Sequence, residues 1–551
     1  MRHAIMCKKE EDMTVKDRVI LWILIGIMIS TMLVGCGNKK ENNNRNQLVV
    51  QVGPDPETID PALNRTSDGA NIILHTFEGL LAYDEKEELA AGCAELPEVS
   101  EDGLTWTFRL KDGLKWSDGS DLNAHDFVYS WRRVCDPKTG SPYAYTVLGM
   151  VKGYDEAIKG DVEKLNVQAT DDHTLVVKLS YPCAYFGSLT TISALSPVQR
   201  KTVEEAGENW AVSADTYISN GPFRITDWVP GSHITVSKNP YYQHADKIKL
   251  ERIKFVLMED MNAAYSAYQS NQIQFVRSIP TEEIPRLIDS PEFRIGELLG
   301  TYYLSINTEK KEFQDVRVRK ALSLAIDREY VANTIMQETY TPAYNFVGKG
   351  WTDTDGTSFM GNANGGQAYL GGDHEKNLQE AKRLLAEAGY PNGKGFPVIE
   401  YITNDAGYHI TVAEYLQQAW GELGLTVTIG TMEWADFTGR RQSGNFQIAR
   451  NGWSGDYSDP SNLLELFYSG NSNNDGRVKH EKIDAAIKKA QRTTDPKERS
   501  VALHEVEDIL MEEALCIPIA YYNDFWLQKE NVKGIRHSPR GLWNFTYAET
   551  L

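Results

Sequence analysis

Few residues of this 551-residue chain are arranged for chemistry. The clearest is Cys36, which closes the string Leu33-Val34-Gly35-Cys36 behind an apolar, almost charge-free stretch from Val19 to Val34. Lys16 and Arg18 precede that stretch and a polar Gly/Asn/Lys segment follows it, which gives the n-region, h-region and cut site of an export signal. A small residue before a cysteine is what a lipoprotein signal peptidase requires. The chemistry expected at Cys36 is therefore acylation of its thiol, making it the lipidated first residue of a mature protein held outside the cell. A membrane span is the other reading, but about sixteen residues fall short of the roughly 20 that a span needs. The acidic run before Met13 is foreign to an n-region, and Met13 would be a cleaner start.

Elsewhere the reactive patterns break off. The string GWSGD at Gly452 misses GxSxG because its second glycine comes one residue early, and no HExxH occurs, so a secreted hydrolase finds no support. GYPNGKG at Gly389 lacks P-loop spacing and reads as a helix stop and loop. Cys93, Cys135, Cys183 and Cys516 are too scattered for a CxxC pair or a zinc site and read as buried or free thiols. Methionine- and histidine-rich metal features are absent, and no cofactor is expected. Asp456, in GWSGDYSDP, is by itself a turn residue among turn formers.

Charge narrows the partners. Without residues 1–35 the chain keeps 52 basic and 73 acidic side chains, a net charge of about −21. Such a surface is repelled by phosphate backbones and anionic lipid, so no nucleic-acid partner is expected, and membrane attachment must come from acyl chains. A mature chain of this length exceeds one core and implies two or three lobes. No stretch after Cys36 is apolar enough to span a membrane.

The elements that must position any site mix strands with helices, in an α/β assembly without a 20–50-residue repeat. GNKKENNNRN (37–46) reads as a flexible tether. Strands are expected at LVVQVG from Leu48, HTLVVKLS from His173, GPFRITDWV from Gly221, HITVSKN from His233 and KIKLERIKFVL from Lys247. TWTFRL from Thr105, the KDG turn and LKW predict a hairpin, and Asn123 with Asp126 a capping box before FVYSWRRV. Helices are expected at Phe313–Ile335, from Asn377 to a stop at Gly389 and Pro391, from Ile410, through DAAIKKAQ, and from Glu498.

Seven strings, in order, resemble one family: PETIDPA at Pro56, FEGL at Phe77, LKWSDGSDLNAHDFVYSWRRVCDP at Leu114, TDDHTLVVKLSYP at Thr170, SNGPFRITDWVPGSHITVSKNPYY at Ser219, FQDVRVRKALSLAIDRE at Phe313 and NGWSGDYSDPSNLL at Asn451. They span nearly all of the mature chain. It is similar to the extracellular solute-binding proteins of peptide ABC importers (solute-binding protein family 5), most closely the oligopeptide-binding lipoproteins. The resemblance implies an α/β, two-lobed, periplasmic-binding-protein-like clamshell of type II, cluster C-like, with mixed sheets and a hinge. Its three domains would be 47–80 with 215–300 and 524–551; 81–214, inserted in the same lobe; and 301–523, the second lobe. The implied role is that of a monomer, not an enzyme, that closes on short extracellular peptides at the outer face of the cell membrane. It would pass them to an ABC permease driven by separate ATPase subunits. Relatives that bind dipeptides, signalling peptides, metal chelates, haem or oligosaccharides keep other cargo open.

Carried over residue by residue, the resemblance puts Asp456 opposite the ligand's α-ammonium, where a carboxylate enclosed by the cleft needs an opposite charge. Gly452, Trp453 and Ser454 match a stretch flanking the ligand main chain, as does TYYLSIN at Thr301. Trp434, Trp453, Tyr143, Tyr522 and Tyr303 match aromatic walls. Arg450 and Arg441 match arginines facing the ligand carboxylate, with structural ion pairing as the other reading. Three departures touch specificity. A cysteine pair of the family is missing at Gly300 and Ser454, a histidine is replaced by Tyr408 with His409 beside it, and an acidic residue is reversed to Arg65.

Overall fold

The structure, a computed structural model, describes residues 46–363, 372–405 and 407–551. The Cys36 signal and nearly all of the tether lie outside these residues. The described chain opens with β1 (Gln47–Gln51), whose Leu48 and Val50 are fully buried, and α1 (Ser67–Thr76) follows it. β2 (Thr105–Arg109) leads to α2 (Ala124–Cys135), which starts at the expected capping box: Asn123 accepts from the helix backbone and Asp126 accepts from the Asn123 N–H. β3 (Val167–Asp171) and β4 (Thr174–Lys178) join β2 and Glu98–Val99 in a small antiparallel sheet.

The expected hairpin at Thr105 does not form. β2 pairs with β4, far along the chain, while LKW contributes only an isolated Lys115–Asp121 bridge. The tight turn in which the Trp116 N–H bonds to the Ser120 carbonyl leaves too little extended chain for a ladder, and HTLVVKLS supplies one.

β5 (Phe223–Val229), β6 (His233–Lys238), β7 (Arg252–Val256), β8 (Phe275–Val276) and the long β9 (Phe293–Ile306) come next. The helix expected over Phe313–Ile335 is broken. α3 (Val316–Leu324) ends, Asp327 turns extended and caps a new start by accepting from the Tyr330 N–H, and a π turn finishes the run. Buried Arg328 fixes the break by donating to the Ser323 and Pro518 carbonyls. After it come α4 (His374–Glu387), β10 (Ile399–Asn404), α5 (His409–Gly421), β11 (Val427–Met432), α6 (Trp434–Gln442), β12 (Ile448–Ser454), α7 (Glu481–Arg492), α8 (Pro496–Glu512) and β13 (Cys516–Gln528). α4 begins at His374, capped by Asp373, before the expected start, and ends beside Gly389 in a left-handed conformation.

An 11-stranded mixed sheet runs β11-β10-β12-β9-β13-β8-β1-β7-β6-β5, with Thr341–Pro342 added on β13. Two separate large cores flank it. One gathers buried residues between Leu48 and Phe275 and between Trp526 and Ala548, with Tyr457, and the other gathers those between Leu299 and Ala520. β9 and β13 run between the two cores as an antiparallel pair whose register slips between Glu297 and Thr301. The four described cysteines are buried and free, and among the described residues no helix is long and apolar enough to cross a membrane.

Candidate functional site

β12 organises the site. On one edge it pairs with β9 along its whole length, Ile306 opposite Ile448 through Gly300 opposite Ser454. On the other, β10 reaches only Ile448 and Ala449. From Arg450 to Ser454 that edge is therefore uncovered by any strand among the described residues, as an extended ligand adding a strand would require. Side-chain alternation puts Arg450, Gly452 and Ser454 on one face and turns Asn451 into the interior, where it donates to Ser305 and Asp475.

Beyond Ser454 the chain turns. Gly455 has no room for a side chain, because a Cβ would run into the Trp351 ring, and its N–H bonds to the Leu299 carbonyl. Asp456 then faces a cavity of about 640 Å³ that Ser454, Tyr143 and Arg65 also line. Tyr143 donates to the Asp456 carboxylate at 3.4 Å, and the Asp456 N–H bonds to the Asn462 side chain at 3.4 Å. No cation pairs with Asp456 among the described residues, and burial raises its pKa above the usual carboxylate value, against hydrogen bonds to the carboxylate from the Tyr143 and Asn462 side chains. This is an enclosed anion whose counter-charge must come from elsewhere. Arg65, on the same wall, is exposed and paired with Glu57 at 3.1 Å.

At the other end of the exposed edge, Arg450 sits among tyrosines. Its guanidinium lies 5.2 Å from the Tyr302 ring centroid and donates to the Tyr522 hydroxyl at 3.3 Å, with no carboxylate paired to it among the described residues. Tyr522 covers Gly452 so closely that a Cβ there would strike its hydroxyl. Tyr408 packs edge-on against Tyr340, which packs in the same way on Tyr522. His409 lies along Tyr302, its pKa lowered to about 3 by burial and then by the Arg450 charge, so it is neutral.

Two expected residues take other places. Tyr303 is a buried core ring against Phe346 and Phe467, because it lies on the opposite face of β9 from the Tyr302 nest. Arg441 forms an ion pair with buried Asp475 at 2.9 Å, the structural pairing that its residue type also allowed. Trp434 opens α6, 51 % exposed with its ring near Phe437, and Trp453 is half-buried and donates to Asn462 at 2.9 Å. The sequence reading missed Asn462, which holds both Trp453 and Asp456, and it missed Tyr302 and Tyr340 around Arg450. Asn462 stood in the turn-rich string after Asp456, whereas nothing local marked Tyr340. Gly300 and Ser454, where the family's cysteine pair is absent, are direct cross-strand partners.

The profile of the bacterial extracellular solute-binding proteins, family 5, matches residues 88–475. The chain is 32% identical to the oligopeptide-binding protein OppA of Bacillus subtilis, over 93% of this chain and 96% of that one. It is also 32% identical to the dipeptide-binding protein DppE of the same organism, over 94% of each. Among solved structures, the unliganded open form of the periplasmic murein tripeptide binding protein MppA superposes with a TM-score of 0.80 at 31% identity, covering 92% of this chain and 98% of that one. The chain therefore belongs to the family 5 extracellular solute-binding proteins and has their two-lobed α/β clamshell fold. It is a binding protein rather than an enzyme, which removes the hydrolase reading.

Proposed function

We propose that this chain captures short peptides outside the cell and delivers them to an ABC permease driven by separate ATPase subunits, held to the membrane by lipid on Cys36. The observation that carries the reading is Asp456: a carboxylate facing a cavity, raised in pKa by burial and without a cation of its own. A peptide α-ammonium is the charge it lacks. The uncovered edge of β12 offers main-chain partners for ligand amides, and Arg450, unpaired in its tyrosine nest, offers the far anchor for a carboxylate. With about 3.3 Å per strand residue, Arg450 and Asp456 are at most about 20 Å apart, so an extended peptide whose two ends reach both has at most about six residues. Trp453, Tyr522, Tyr408 and Trp434 supply aromatic wall, while Tyr303 and Arg441 brace the strands behind it. The proposed domains are 47–80 with 215–300 and 524–551, then 81–214, then 301–523; the separate core from Leu299 to Ala520 supports setting the last apart as a lobe. The chain would act as a monomer.

Isothermal titration of Asp456→Asn with free and N-acetylated peptides tests the reading. Loss of about 2–5 kcal/mol for free peptides, with the acetylated ones unaffected, is expected. Equal behaviour of wild type and variant toward both would sink it. Mass spectrometry of what co-purifies separates peptides from a dipeptide-only, saccharide or chelate cargo.

A further inference from the structure

The segment carrying Asp456 is held from both cores. Tyr457, 5 % exposed, is buried in the first core, although Leu463 and Leu464 just after it build the second. Its ring lies flat on Tyr185, with centroids 5.0 Å apart and planes 7° from parallel. Tyr185 follows the small sheet of β2, β3 and β4, so its partner is more than 250 positions away in the chain. The Arg499 guanidinium lies 5.5 Å from the Tyr185 ring centroid, and its fork grips Asp459 at 2.8 and 2.9 Å. Asp459 in turn bonds through its N–H to the Tyr457 carbonyl, and its own carbonyl accepts from the Asn462 N–H.

Asp456 itself holds little. Its side chain has the Tyr143 hydroxyl at 3.4 Å and the Asn462 side chain, and no cation among the described residues. A carboxylate so placed relaxes toward water unless its backbone is fixed. Gly455 against Trp351 fixes it on one side, and Tyr457 in its slot fixes it on the other. We infer that Tyr457 and Tyr185 are positioning residues for Asp456: the ring stack under the Arg499 fork, which joins the two proposed lobes, pins the anion in the cavity where the lobes meet. This rests on the reading of Asp456 as the ammonium site. A pre-placed, partly desolvated anion binds an ammonium far better than one free to swing into water, where a charge pair contributes little.

The test is titration of the full mature chain with trialanine and N-acetyl-trialanine. Tyr185→Ala is expected to weaken trialanine binding by about tenfold or more while the acetylated peptide changes by no more than about twofold, erasing the preference for a free amine. Tyr185→Phe, which keeps the ring, restores the preference. Tyr457→Leu, which fills the slot without a flat face, behaves as Tyr185→Ala. The inference is overturned if Tyr185→Ala keeps the wild-type preference, or if it weakens both peptides by one factor, as general loosening of the fold would. A wild-type chain without preference for the free amine overturns the assignment of Asp456 itself, a result visible before any pin variant is made.

Discussion

In the proposed binding mode two unpaired charges, Arg450 at the start of an uncovered strand edge and Asp456 just beyond its end, anchor the ligand at the residue scale. Asp456 must be ionised to hold an ammonium, and burial raises its pKa. Affinity for free peptides is therefore full above that raised value and falls as pH drops through it. In a titration series from pH 7 down to pH 4, the decline sets in at higher pH than an exposed carboxylate, near 3.9, would give. Asp456→Asn removes that acid limb. At the other end His409, held to about 3 by burial and the Arg450 charge, should respond to ligand. A peptide carboxylate beside Arg450 offsets the repulsive cation, so NMR should record a higher His409 pKa in the complex. An unchanged value would place the ligand's carboxyl end elsewhere.

At the element scale, glycines let the strands come close enough to build the site. Gly452→Ala pushes a methyl group into the Tyr522 hydroxyl and displaces the ring that caps Arg450. Calorimetric titration should show peptide affinity falling by about tenfold or more, with a smaller change in melting temperature, since Gly452 and Tyr522 border the cleft and are only half-buried. The helix caps illustrate what local sequence carries. Asn123 and Asp126 announced α2, and removal of the cap in Asn123→Ala should cost about 1 kcal/mol in denaturant unfolding. Where elements were misread, a distant partner was the cause. TWTFRL took HTLVVKLS as its neighbour rather than LKW, and the long helix from Phe313 broke where Arg328 found the Pro518 carbonyl.

At the scale of the whole molecule, one buried acid outside the cleft sets a pH term for folding. Glu507, 1 % exposed on α8, accepts the Val347 N–H and is pushed up to about 8 by burial. Its folded value lies above the unfolded one near 4.3, so the folded chain holds the proton more tightly and stability is lost as pH rises toward 8. Below about pH 6.5 the opposite slope of His75, lowered to about 4 by burial, enters as the unfolded histidine takes up protons. Glu465, raised to about 7 by burial, adds a slope of the same sign up to about that pH, so between pH 7 and 8 Glu507 gives the larger share, with a slope of its own of at most about 1.4 kcal/mol per pH unit. Melting followed across that window should show the decline in wild type and a flatter profile in Glu507→Gln.

The sequence by itself determined the family, the mixed α/β composition, and most strands and caps, and it singled out Asp456 with Gly452–Ser454 for the proposed site, because these are carried by contiguous strings and by residue types with strong local preferences. Only the tertiary structure decided which charges are free. Arg441 and Arg450 lie nine residues apart and share a residue type, yet Asp475 neutralises the first and tyrosines from distant segments surround the second. Tyr303 and Tyr302 are adjacent and both buried, but alternation on the strand sends one against Phe346 and Phe467 and the other under the Arg450 guanidinium. The pairing of Tyr457 with Tyr185 has no local signature at all. Burial and charge compensation depend on neighbours that are remote in the chain, so they become readable only when the chain is folded.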